Sequence, residues 1–137
     1  MSESPGSPTT DPRSGIITKT APGTVADAVS KLTELVEVRE MTVFAVIDHS
    51  GEAARRGLDL RDTKLVIFGS PTGGTPVMEA SPLAALDLPL KVLIWDDGGQ
   101  TRISFTSPDS LAARHQLSDA LASRLAGIGP LTDALVG

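Results

Sequence analysis

The chain has 137 residues, 40% of them hydrophobic and 21% charged, which is enough for one domain with a substantial core. A formal net charge of −5, with Arg55-Arg56 as the only adjacent basic pair, argues against a nucleic-acid partner, and three Phe, one Trp and no Tyr offer no base-stacking platform. The absence of cysteine excludes disulfides, zinc-thiolate sites and thiol nucleophiles and fits a reducing cytoplasm, while no apolar run is long enough to cross a bilayer.

Residues 1–14, rich in Ser, Pro and Thr, are expected to form a disordered tail ahead of a single domain over residues 15–137. Gly15–Thr20 reads as a strand that ends at Pro22-Gly23. Thr24 is a helix N-cap with Asp27 three residues on, a capping-box arrangement. Val25, Ala28, Val29, Leu32, Leu35 and Val36 then recur on one helical face. Met41–Ile47 is apolar on both alternating faces except at Thr42, and this pattern predicts a central strand or one covered on both sides. Ser50–Arg56 is expected to be a short helix capped by Ser50 and stopped at Gly57. Lys64–Phe68 is the next strand.

Gly69–Leu88, with its prolines and glycines, is too broken for one regular element; Ser81–Leu86 suits a short helix. Leu90–Trp95 and Thr101–Thr106 are strands joined through Asp96-Asp97-Gly98-Gly99-Gln100, a hairpin turn by composition. Ser107-Pro108-Asp109 starts a helix expected to reach about Ala126, with Leu111, Leu117, Leu121 and Leu125 as its stripe. The order is β-α-β-β-β-β-α: an α+β fold with two long helices covering one face of a single antiparallel-dominated sheet.

Candidate chemistry gathers where strands hand over to loops. Asp48-His49-Ser50 is not a triad, because alternate side chains on a strand point to opposite faces. Either Asp48 or His49 serves singly as an acid-base group or ligand contact, or Asp48 and Ser50 cap the following turn. Gly69–Pro76, including Gly73, Gly74 and Thr75, resembles an anion-binding loop without the Lys of a Walker A motif; the alternative is a tight turn with positive φ at Gly73 or Gly74. On a helical wheel Arg114 falls in the sector of Leu117, Leu121 and Leu125, with His115 at its edge. A guanidinium so placed needs a carboxylate or an anionic ligand, unless it snorkels. Two histidines and no cysteine give little basis for a metal site, so none is assigned. These residues are expected to converge: Asp48, His49 and the Gly73–Thr75 loop in one cleft, lined by Arg114 or His115.

Several motifs resemble the bacterial domain-of-unknown-function 302 family. They are Ile47-Asp48-His49-Ser50, Gly57-Leu58, Phe68-Gly69, Pro71, Gly74-Thr75-Pro76, Met78, Leu86-Asp87-Leu88-Pro89-Leu90-Lys91 and Trp95, with Ala54. The family commonly has Asn where this chain has Ser70, and often Tyr where it has Phe105. The resemblance implies a β-α-β(4)-α fold of TATA-box-binding-protein-like topology and a homodimer. It implies no reaction and no cofactor. The expected function is a small-molecule-binding module, an anion being one candidate ligand, or an accessory module, in either case a cytoplasmic homodimer off the membrane. The alternatives are an enzyme using Asp48 or His49, and a structural interaction module.

Overall fold

The computed structural model describes residues 8–11 and 14–137. Among these residues six strands form one sheet in the order β1-β2-β6-β5-β4-β3, every neighbour antiparallel. They are β1 (Thr9–Asp11), β2 (Ile16–Ala21), β3 (Thr42–Asp48), β4 (Thr63–Gly69), β5 (Leu90–Asp97) and β6 (Gln100–Thr106). Strand β1 lies in what reads from the sequence as a disordered tail, yet Thr9 pairs with Thr18 and Asp11 with Ile16. The rest of that expected tail, residues 1–7, 12 and 13, lies outside the described residues.

Helix α1 (Val25–Val38) forms as its periodicity requires. Thr24 accepts from the Asp27 N–H, and the Asp27 carboxylate accepts from the Thr24 N–H. Its apolar face, with Leu32 and Val36 fully buried, lies on Val66, Phe68, Val92, Ile94, Ile103 and Phe105 of the sheet. The second core helix is not the expected one. The segment from Ser107 divides into α4 (Pro108–His115), α5 (Asp119–Ala122) and a 3₁₀ turn, Ser123–Leu125. Helix α4 stops because Gln116 adopts φ +52°, a left-handed cap usually taken by glycine. It is α6 (Ile128–Val136) that joins α1 on the sheet, burying Ile128, Leu131 and Leu135. Lys19 of β2, only 7% exposed, fixes α6 through Thr132 Oγ1 (2.7 Å), Asp133 Oδ1 (2.8 Å) and the Gly129 carbonyl (3.4 Å). The leucine stripe is nevertheless real. Leu111, Leu117, Leu121 and Leu125 meet Val77 and Ala84 in a second, smaller apolar cluster.

The other correction concerns β3. It is the edge strand, not a central one, and Phe44, Val46 and Ile47 are 50%, 43% and 36% exposed. These apolar side chains are left exposed in this chain. A bulge between Val43 and Ala45 leaves Phe44 outside the pairing with β4. The sheet face opposite the helices carries Ile47, Leu65 and Leu93 in one cross-strand row. Trp95 also stands on that face and donates from Nε1 to Ser104 Oγ (3.0 Å).

Candidate functional site

The Gly-rich segment is neither a nest nor a tight turn but helix α3 (Pro71–Ala80). Neither Gly73 nor Gly74 has positive φ. Ser70 caps the helix, its hydroxyl accepting from the Gly73 N–H (3.3 Å), and Pro71 occupies N1, where its missing N–H costs nothing. Pro76 lies inside the helix and cannot donate to the Thr72 carbonyl four residues back. That carbonyl instead receives Arg124 Nη1 at 3.5 Å. The cost of a helix with two glycines and an internal proline is offset by tertiary packing, since Val77 is completely buried.

Helix α3 and the 3₁₀ turn after it (Pro82–Leu86) pack with α4 in the smaller apolar cluster. Where that cluster meets the main core there is a cleft of about 280 Å³. Leu90 belongs to the seam, packing against both clusters. The walls are Met41, Phe44 and Phe68 on the sheet side and Met78, Leu88 and Ile128 opposite. Gly69, Gly73, Gly74 and Thr75 also line it. A Cβ on Gly74 would meet only Met78 Cε at 3.9 Å, so the missing side chains help to leave this space open. Ser70 and Arg124 stand among the lining residues, and among the described residues no carboxylate does.

Asp48 and His49 are elsewhere, which corrects the expected single cleft. In the antiparallel β3–β4 pair Asp48 lies opposite Lys64, whereas Gly69 lies opposite Thr42 at the other end. Those ends are separated by about 20 Å of strand. Asp48, not Ser50, caps helix α2 (His49–Arg55), accepting from the Gly51 N–H at 2.9 Å. That bond, with those from Lys64 and Ser50, holds its carboxyl below the usual range. Ser50 instead bridges Asp48, Asp62 and the Thr63 N–H. His49 is exposed.

Arg114 and His115 occupy a third place. Both grip Asp87, with His115 Nε2 at 2.5 Å from Oδ2 and Arg114 Nη1 at 3.1 Å from each carboxylate oxygen. The wheel expectation reverses here: Arg114 is 57% exposed and His115 only 9%. Burial alone would push the Asp87 carboxyl up, but the bonds and charges of His115 and Arg114 outweigh it and hold the group below its ordinary value. Asp87 thereby ties α4 to the Leu88-Pro89-Leu90 wall of the cleft.

Sequence reasoning flagged the glycines of the cleft but not Arg124, Phe44 or Met41. The Leu86–Lys91 landmark was the available signal for Asp87. The departure at Ser70 falls at the cleft. Phe105 does not: it is buried in the main core beneath the Lys19 ammonium, 5.3 Å from its ring centre.

Fold and cleft together define a small α+β domain with one antiparallel sheet and an apolar recess at the seam of two cores. Residues 17–130 match the family model described as Domain of unknown function DUF302, and the chain belongs to that family. A structure described as the uncharacterized conserved protein DUF302 from Bacillus stearothermophilus superposes with a TM-score of 0.76. It is 19% identical, and the match covers 89% of this chain and 95% of that one. Two curated relatives are both named Fluoride-specific ion channel FluC 1, from Brucella suis biovar 1 (strain 1330) and Brucella abortus biovar 1 (strain 9-941). Each is 35% identical over 129 residues, covering 90% of this chain. The chain spans about half the length of these relatives, 51% and 48% respectively. Among the described residues no helix is long and apolar enough to cross a membrane.

Proposed function

We propose that this domain is a homodimeric, cytoplasmic small-molecule-binding module whose ligand site is the apolar cleft beside α3. The cleft itself carries the reading. It is slightly below the usual size range of ligand pockets, almost wholly apolar, and supplied with a few polar groups that can orient a guest. Many of the residues that carry the family resemblance line it, among them Phe68, Gly69, Gly74, Met78 and Pro89. An enzyme built on Asp48 or His49 receives no such support, since the Asp48 carboxylate is committed to its cap and to Lys64, and neither residue lines the cleft. The channel activity in the relatives' names is not carried over, because the match takes in only half of those proteins.

Gly74→Leu tests the site. A leucine there projects into the recess while improving helix propensity by about 1 kcal/mol. The variant is expected to melt no lower than the parent and to lose binding of an apolar fluorescent probe measured by titration. Probe binding that survives unchanged in a folded Gly74→Leu protein rejects the cleft.

The dimer reading rests on the β3 edge and the apolar row Ile47–Leu65–Leu93, which a second copy would cover. Light scattering at micromolar concentration is expected to give twice the 14.2 kDa chain mass. A mass of one chain under those conditions would reject it.

A further inference from the structure

We infer that the guest of the cleft is a small amphipathic carboxylate, its hydrocarbon part seated between the sheet end and α3 and its acid group on Arg124. This rests on the proposed cleft and adds the chemical class of its ligand.

The charge pattern is the first argument. The chain carries 17 acidic residues, yet among the described residues none lines the cleft, and Arg124 is the one cation that does. Arg124 is also uncommitted. Among the described residues it has no carboxylate partner; its contact is the 3.5 Å approach to the Thr72 carbonyl. That carbonyl is available because Pro76 supplies no helical N–H to it. The guanidinium is therefore aimed at the helix flanking the cleft by a weak tether, with its remaining N–H donors free. A carboxylate matches this planar fork better than any neutral group.

The lining is the second argument. Met41, Phe44, Met78 and Leu88 offer adaptable apolar contact to an unbranched chain. A single guanidinium balances a single negative charge, so a monoanion suits the site better than a doubly charged phosphate ester. Among the described residues the other side-chain hydroxyls here are those of Thr75 and of Ser70, the latter already bonded to the Gly73 N–H and to Thr72 Oγ1. The volume of about 280 Å³ sets the scale, a guest of about ten non-hydrogen atoms.

Calorimetric titration of the full chain with octanoate, octan-1-ol and octylammonium separates the possibilities. Octanoate is expected to bind most tightly. Arg124→Gln, a change at an exposed side chain, is expected to weaken octanoate at least about tenfold and to leave octanol unchanged. Gly74→Leu should abolish both. If octanol binds as well as octanoate, or octylammonium binds better, or Arg124→Gln leaves octanoate untouched, the carboxylate assignment is overturned while the cleft stands. If none of the three binds the parent protein, the cleft reading falls with it.

Discussion

Leu131→Ala is expected to cost about 3–5 kcal/mol of stability, against about 1–2 kcal/mol for Leu121→Ala. Both are leucines on C-terminal helical segments, and the sequence favours Leu121 as the core residue. Leu131 is completely buried between α1 and the sheet, with Ile128 and Leu135 beside it, so truncation leaves a void that the rigid sheet cannot close. Leu121 only flanks the smaller cluster and is half-buried. Denaturant midpoints at a common m-value measure both. Equal losses would mean that α5 and α6 share the covering of the sheet, contrary to the packing described above.

Asp87→Asn is expected to cost about 1–3 kcal/mol at neutral pH, because it weakens charge-assisted bonds to Arg114 and to the nearly buried His115. The pH profile gives a sharper readout. The Asp87 carboxyl titrates lower in the folded chain than in the unfolded one. Its contribution is therefore fully present above the unfolded value of about 3.9 and is lost as pH falls through the depressed folded value. Urea midpoints between pH 7 and pH 2 should show the parent losing more stability on acidification than the variant. Parallel curves would show that the Asp87 cluster contributes nothing through its charge.

The contrast between α1 and α3 shows what the sequence could reveal. The α1 stripe, its capping box and the β5–β6 hairpin follow from local pattern, and the structure has each of them. Ser70-Pro71 carries the same start signal as Ser107-Pro108, yet two glycines and Pro76 conceal it, and only the burial of Val77 makes a helix there favourable. Likewise nothing local marks Gln116 as a left-handed stop, so the helix from Ser107 reads as continuous. The cleft was half legible for the same reason. Its glycines stand together in one segment, whereas Arg124 and Phe44 reach it through α3 packing and a strand bulge that depend on distant parts of the chain.

The strand order also governs how the chain can assemble. β2 has only the short β1 on one side, and on the other it must pair with β6, so Thr18 waits for Ser104, 86 residues later. A nascent chain can complete α1 and the β3–β4 pair early, but it cannot seat β2 until the last strand has emerged. Such non-local closure slows folding, because the entropy of the large loop is lost before the contacts that compensate it exist. Through that interval the underside of α1 remains without its full sheet, leaving the half-made domain dependent on whatever else in the cell shields apolar surface.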